Sequence, residues 1–433
     1  MENIVITEEM KTALDLIDQG KNLFITGKAG SGKTTFLKLL QERFSLSGVI
    51  VAPTGVAAIN AGGVTIHSMF SLPIGVIEPD KKLEWRLPVN KRNVLKYAKV
   101  LIIDEISMVR CDLMDAIDRR LRAARKCKKP FGGLQVLMFG DMMQLPPVVT
   151  TDEANVLSEF YDNFYFFNAN VFKNTEFEMI ELSEIFRQKD KNFISLLNNV
   201  RNGKLTDKSK MWIEEMLNNN KPSKNAIHLC ALRSVADTFN QKKLGKPTHV
   251  FKATLTGDFN PKSANCDLEL KLRVGARVMI TKNDGDVGQY YNGTLGVVDK
   301  ITSEVITVLT DEGKKVAIYP NEWESYKYEV KVDEKMNTVV NRVCTGTCTQ
   351  FPLTLAYAIT IHKSQGLTFD HVVLHIKEIF QTGQLYTALS RCRKMKNVSI
   401  DSSISENMLL RNDAIENFID STKKNDNKYG FIK

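Results

Sequence analysis

The chain lacks most of what would place it outside the ordinary globular proteins. Its 433 residues contain no apolar run near the ~20 that a bilayer-crossing helix needs, and the mean hydropathy is −0.20. A membrane-spanning reading is excluded. The seven cysteines are odd in number and scattered, which excludes a disulfide framework. Cys344 and Cys348 form a lone C-x₃-C with no second Cys or His pair to complete a structural zinc site, so no metal of that kind is expected. With 25 Gly and 12 Pro, collagen-like and low-complexity classes fall away, and no internal repeat is visible. Residues Met1–Thr7 show no basic stretch followed by an apolar run, so no signal or transit peptide is expected. A reducing, cytoplasmic setting is expected in turn.

What the chain does carry is basic charge, formally +9 with pI ≈ 9.0. That balance fits a polyanionic partner such as nucleic acid, or simply a soluble basic surface. Residues 1–182 alternate short apolar runs with helix-length segments. The runs are Leu23–Thr26, Val49–Ala52, Val100–Ile103 and Leu134–Phe139. Apolar strands without inside–outside alternation, separated by helices, predict an α/β fold with a parallel sheet covered on both faces. Residues 65–97, with Pro73, Pro79 and Pro88, break the rhythm and read as a small insertion. A second alternation starts near 183, with strands expected at Ala226–Cys230, Thr354–Thr360 and Val372–Ile376. Between them, 250–344 reads as a β module, with short strands and hairpin signals at Asn292-Gly293 and Asp284-Gly285. The expected division is 1–64 with 98–182, an insertion at 65–97, a second α/β domain at 183–249 with 345–433, and a β insertion at 250–344.

Gly27-Lys-Ala-Gly-Ser-Gly-Lys33-Thr34 matches G-x₄-G-K-[ST] between a predicted strand and a predicted helix, the context that phosphate-cradling loop requires. Gly30 and Gly32 let the backbone N–H groups turn toward a β-phosphate, and the helix N-terminus adds its positive dipole end. Lys33 then reaches the β/γ-phosphates and Thr34 offers its hydroxyl to Mg²⁺; Ser31 and Thr35 complete the expected ATP-binding set. Asp104 and Glu105 end an apolar strand, where ligands of open α/β sheets bind. Asp104 is the expected second Mg²⁺ residue and Glu105 the group that activates water, unless the pair only caps a helix. Gln144, in Gly140-Asp-Met-Met-Gln-Leu-Pro-Pro147, is placed to orient water or γ-phosphate, or else is a solvated loop residue. Arg187 and Arg391 are candidates for transition-state charge. Arg391 falls off the edge of the Leu385, Ala388, Leu389, Cys392 stripe, a position that also suits a surface salt bridge.

These residues together resemble the petite-integration-frequency (PIF) DNA helicases of superfamily 1, RecD/Dda-like motors, here of bacterial type. The resemblance spans almost the whole chain. It rests on the phosphate loop, Ala52–Ala58, Thr65–Ser68, Ile103–Met108, Gly140–Val148, Glu184–Arg187, Ala358–Gly366 and Tyr386–Arg391, in the family's order. Residues 112–133, ending Lys-Pro-Phe-Gly-Gly, resemble the family's signature segment. The resemblance implies two RecA-like domains with ATP and Mg²⁺ between them, a wedge at 65–97 and an SH3-like module at 250–344. It implies 5′→3′ translocation on single-stranded DNA with unwinding of forked DNA, nucleoid association, a monomer when free, and Gly366 at the nucleotide. It also exposes one departure: where the family carries an adenine-reading Gln, this chain has Met10.

Two strand-to-helix corners are expected to grip a nucleic-acid backbone. One holds Pro53, Thr54 and Gly55 with Thr65, His67 and Ser68; the other holds Thr360, His362, Lys363 and Ser364. One grip per motor domain lets closure on ATP change their spacing along a strand, and phosphate contacts carry no sequence information. Within the segment 112–133, the residues Arg119, Arg120, Arg122, Arg125, Lys126, Lys128 and Lys129 read either as a solvated face or as a rim steering phosphates. An ATP-hydrolysing clamp or remodeller, and an RNA motor, remain alternatives to a DNA helicase from residues alone.

Overall fold

The computed structural model describes residues 5–432 apart from 46, 74, 80, 82–86, 220–222, 224–225, 260–265, 283–288, 291, 333–337, 378 and 425–430. The chain forms two compact units, one of 1–186, 326–344 and 412–433, the other of 187–325 and 345–411.

The first unit is built on a seven-stranded sheet. Its order is Phe431–Ile432, Glu178–Leu182, Leu23–Gly27, Gln135–Phe139, Val100–Ile103, Gly48–Ala52 and Val64–Thr65, and every pairing is parallel. The unalternating apolar runs have a direct cause. Phe24, Leu101, Ile103, Val136 and Met138 face one core with Ile66, Phe70, Met114 and Phe166. Leu23, Ile25, Val100, Ile102, Leu137 and Phe139 face the other with Met10, Phe36 and Leu40. Each strand thus buries both sides, as a helix-covered parallel sheet demands.

Residues 65–97 are less separate than the sequence suggests. Helices Ile66–Phe70 and Val89–Tyr97 place Ile66, Met69, Phe70, Val94 and Leu95 in the main core. The basic helix Cys111–Arg125 buries Leu113, Met114, Ile117 and Leu121 as its spacing predicts; its Arg119, Arg120 and Arg125 are tied to backbone carbonyls, while Lys126, Lys128 and Lys129 beyond it are exposed. Arg125 donates to the carbonyls of Leu95, Lys96, Ala98 and Gly132, Arg120 to Ser71 O, and Arg119 to Pro79 O and Lys81 O. They are staples that tie the 65–97 segment to the domain. The C-terminal segment also departs from expectation. Helix Asp413–Lys424 lays Ile415 and Phe418 into the first unit's core, with Phe418 stacked on Phe167 at 4.2 Å.

The second unit carries a four-stranded sheet, Ala358–Thr360, Ile227–Cys230, Val372–His375 and Val398–Ile400, again all parallel. Between its first strand and the rest lie antiparallel strands. Five of them, Lys315–Ile318, Ile306–Thr310, Leu295–Ile301, Arg277–Ile280 and Leu353–Leu355, form one sheet around its own core of Val278, Ile280, Val308 and Ile318. The Asp284-Gly285 turn expected there lies outside the described residues.

Candidate nucleotide site and nucleic-acid corners

Strand Leu23–Gly27 delivers the chain into a loop where Gly30 (φ 84°) and Gly32 (φ 89°) adopt left-handed backbone, a region costly for any residue with a Cβ. Helix Lys33–Arg43 starts from Gly32 with no side-chain cap, so the dipole end that favours an anion is presented by backbone alone. The Lys33 ammonium donates to Gly27 O at 2.5 Å and Lys28 O at 3.1 Å, folding back over the loop it would share with a phosphate. Ser31 is buried inside that loop, and its Oγ has no hydrogen-bond partner among the described residues. Thr34 and Thr35 are exposed on the first helical turn.

Met10 is 2% exposed and belongs to the buried stripe of helix Glu8–Asp18. A Cβ on Gly32 would meet Met10 Cε at 3.2 Å and the Phe186 ring at 3.5 Å. The thioether and the ring therefore close around the phosphate loop. Phe186 N donates to Gly30 O at 2.9 Å, while 40% of Phe186 remains exposed. The sequence reading passed over Phe186; its signal was an aromatic residue directly before Arg187.

Asp104 and Glu105 leave strand Val100–Ile103, two strands from the phosphate-loop strand. Asp104 Oδ1 accepts from Glu105 N at 2.9 Å. Burial and the neighbouring Glu105 charge push the Asp104 carboxyl up to about 8, against the pull of Lys33. Glu105 has φ 49°, an uncommon conformation for a non-glycine residue and one found at functional turns. The carboxylate pair thus sits where a cation is needed to stabilise the charged form. A Thr hydroxyl and a carboxylate are hard oxygen donors of the sort Mg²⁺ takes, so Thr34 and Asp104 fit that ion.

Gln144 follows the strand lying between these two. It is 6% exposed, and its amide donates to Asp141 Oδ2 at 3.2 Å. It is therefore an oriented residue and not a solvated one. Gly140 allows the approach: a Cβ there would stand 2.8 Å from Ile106 and 3.3 Å from the Ser107 amide, immediately after Glu105.

In the first unit, Thr54 follows strand Gly48–Ala52 and accepts from Ala57 N at 3.2 Å, with Pro53 and Gly55 beside it. Thr65 accepts from Ser68 N at 3.2 Å, capping helix Ile66–Phe70. His67 is half-buried, and burial with the nearby Arg110 lowers its pKa; Ser68 is exposed. Strands Gly48–Ala52 and Val64–Thr65 are adjacent, so these two turns share one sheet edge.

In the second unit, Thr360 ends its strand and accepts from Lys363 N at 3.1 Å. Lys363 is exposed, and His362 is half-buried with its pKa lowered by burial. Ser364 departs from expectation. It is fully buried and donates to Ile361 O at 2.7 Å, so its hydroxyl stiffens the turn from inside. Gly366 has φ 79° with open space around it.

Arg391 also departs from the surface salt-bridge alternative. It is 1% exposed and donates to Thr387 O (2.8 Å), Ser364 O (3.3 Å), Leu367 O (3.3 Å) and Ser390 Oγ (2.8 Å). Arg187 donates to Ser390 O at 3.2 Å. The two arginines that the sequence singled out meet at Ser390 within the second unit, and Arg391 also holds carbonyls just after the turn that carries Thr360–Lys363.

A phosphate loop and strand-end acids on one parallel sheet, with a second parallel sheet in the same chain, define a P-loop nucleotide hydrolase of RecA-like architecture. The PIF1-like helicase model matches residues 5–211, and the UvrD-like helicase C-terminal domain model matches 355–396. The ATP-dependent DNA helicase Pif1 of Bdellovibrio bacteriovorus is 32% identical over 411 residues, covering 92% of this chain and 88% of that protein. The crystal structure of Bacteroides Pif1 with ADP-AlF4 is 45% identical, with a TM-score of 0.91 over 99% of both chains. Bacteroides Pif1 with ADP-AlF3 and single-stranded DNA is 46% identical with a TM-score of 0.74, over 99% of this chain and 100% of that one. The chain belongs to the PIF1-like helicase family.

Proposed function

We propose that this protein is an ATP- and Mg²⁺-dependent DNA helicase that moves 5′→3′ along single-stranded DNA and opens forked duplex. The observation that carries the reading is the pairing of a complete phosphate loop and strand-end acids in one unit with an arginine-bearing turn and a basic corner in the other. Relatives named as ATP-dependent DNA helicases, and a relative crystallised with a nucleotide and single-stranded DNA, support it.

In this reading Lys33 leaves Gly27 O and Lys28 O for the β/γ-phosphates, exchanging neutral acceptors for charged ones that bind about twice as strongly. Thr34 and Asp104 hold Mg²⁺, which when bound neutralises phosphate charge. Glu105 takes the proton from the attacking water, and Gln144, oriented by Asp141, fixes that water or the γ-phosphate. Arg187 and Arg391 stabilise charge developing on the transferred group. Phe186 and Met10 offer the base an apolar platform, since a thioether packs well but donates nothing. Thr54, Thr65, His67, Thr360, His362 and Lys363 grip phosphates. Because Arg391 holds carbonyls of the turn after Thr360, moving its guanidinium to a phosphate loosens that turn, which links ATP to grip. The wedge role of 65–97, the SH3-like role of 250–344 and action as a monomer belong to the same proposal.

The test is strand displacement with Mg-ATP on tailed duplexes. ATPase stimulated by single strands without displacement would replace the helicase reading with a clamp or remodeller. Displacement only of RNA duplexes would replace it with an RNA motor.

A further inference from the structure

We infer that Gln188 is a positioning residue for Arg391, pinning the backbone on both sides of it. This rests on reading Arg391 as a transition-state arginine. Gln188 is 2% exposed. Its Nε2 donates to Ser390 O at 3.1 Å and to Cys392 O at 3.0 Å, the two carbonyls that flank Arg391. Both partners can only accept, so the donor end of the amide must face them. The carbonyl of Arg391 itself accepts from Phe369 N at 2.8 Å. Three consecutive carbonyls are thereby fixed, one to the backbone of Phe369 in an isolated bridge and two to a single buried side chain.

Helix Gln384–Leu389 ends here: the amides of residues 390–392 still donate back to Tyr386, Ala388 and Leu389 O, but their carbonyls take donors from outside the helix. Ser390 O also accepts from Arg187 Nη1 at 3.2 Å, so loss of Gln188 leaves that carbonyl on Arg187 and takes from Cys392 O the donor described for it, an unfavourable change for a buried acceptor. The guanidinium, by contrast, donates to neutral oxygens that include two carbonyls at 3.3 Å. Such bonds are weak enough to exchange for a charged phosphate oxygen. The arrangement is a rigid base beneath a transferable side chain. A finger displaced by even 1 Å loses on the order of 100-fold in rate, so the base matters only when the arginine acts.

Gln188→Met keeps the side-chain volume and removes both donors. We expect kcat for ATP hydrolysis on single-stranded DNA to fall about 10- to 100-fold. KM for ATP, the Kd for ADP and the Kd for a single-stranded oligonucleotide should all stay within about twofold. Retention of ADP in the presence of aluminium fluoride, a transition-state mimic, should fall by a factor similar to kcat. Gln188→Asn, one methylene too short to span both carbonyls, should behave alike and guards against misfolding of the Met variant. Arg391→Ala is measured beside them: if it alone loses roughly 10³-fold, adding Gln188→Met should cost less than a further twofold. The positioning role is overturned if Arg391→Ala loses that activity while both folded Gln188 variants keep kcat within twofold. It is also overturned if kcat, ADP affinity and DNA affinity fall together, which would mark a merely structural amide. If Arg391→Ala itself stays within a few-fold of wild type, the arginine reading fails, and the positioning role fails with it.

Discussion

Replacing Lys33 by Ala separates the two halves of the proposed cycle. The ammonium donates to Gly27 O and Lys28 O from a half-buried side chain. Each bond is worth roughly 0.5–1.5 kcal/mol net, and water can replace the lost donor at a half-open loop. A loss of about 1–2 kcal/mol follows, or a few degrees in the melting of the first unit. The catalytic loss is larger, because the same nitrogen is to meet charge that grows on the transferring phosphoryl group. Removing one such donor costs on the order of 10²–10³ in kcat. Single-strand affinity without nucleotide should stay within twofold, since the bonds described for Thr54, Thr65, Thr360 and Lys363 do not include Lys33. Phosphate release with saturating single-stranded DNA gives the first quantity, and anisotropy of a labelled oligonucleotide the second. ATPase within tenfold of wild type, or equal loss of hydrolysis and DNA binding in a folded variant, would refute the separation of sites.

Glu105→Gln keeps the left-handed turn and removes the base; we expect ATP binding intact and turnover at least ~100-fold slower, and turnover within a few-fold would place the base elsewhere. Lys363→Ala should weaken DNA binding and flatten the slope of log K against log salt by about 0.7; an unchanged slope would show that Lys363 does not touch the backbone. Wild type should separate ATP from GTP by less than about tenfold in kcat/KM, or ~1.4 kcal/mol, because Met10 cannot make the bidentate contact that discriminates adenine by ~1–3 kcal/mol. Met10→Gln should sharpen that preference while lowering the nucleotide-free Tm, as it buries an amide among apolar side chains; selectivity of 100-fold already in wild type would mean the base is read elsewhere. His228 donates to or accepts from His375 at 2.9 Å, and burial, with His375 and Lys243 nearby, lowers its pKa to about 4. The unfolded chain takes that proton near 6.5 and the folded one does not, so this contribution is complete above pH 6.5 and lost as pH falls toward 4. His228→Phe should flatten the stability–pH curve in that window beyond what His67 and His362 leave, and an unchanged slope would contradict the assignment.

The parallel sheets and the phosphate loop were legible because their signals are local. Leu23–Ile25 and Val100–Ile103 are apolar at every position, and the loop's glycines stand where φ must be positive. Arg391 was legible as a candidate, but its burial was not. A stripe of Leu385, Ala388, Leu389 and Cys392 shows which face packs, but the arginine's partners are backbone carbonyls of Ser364 and Leu367, which no side-chain pattern records. The same blindness hid the staples of Arg119, Arg120 and Arg125. Ile415 and Phe418 predict an amphipathic face, yet nothing in the helix says which of two sheets it covers. Phe186 was within reach, since an exposed aromatic beside a phosphate loop is a natural base platform, but its exposure appears only in three dimensions.

The central claim is directional motion on DNA driven by ATP, and one measurement bears on it most directly. A duplex carrying a 5′ single-stranded tail and its 3′-tailed counterpart are presented to the full chain under Mg-ATP, with Lys33→Ala as the control. The account predicts displacement of the 5′-tailed strand, none above the control for the 3′-tailed one, and no displacement by Lys33→Ala. Efficient unwinding of the 3′-tailed substrate alone, or of neither despite DNA-stimulated hydrolysis, would contradict it.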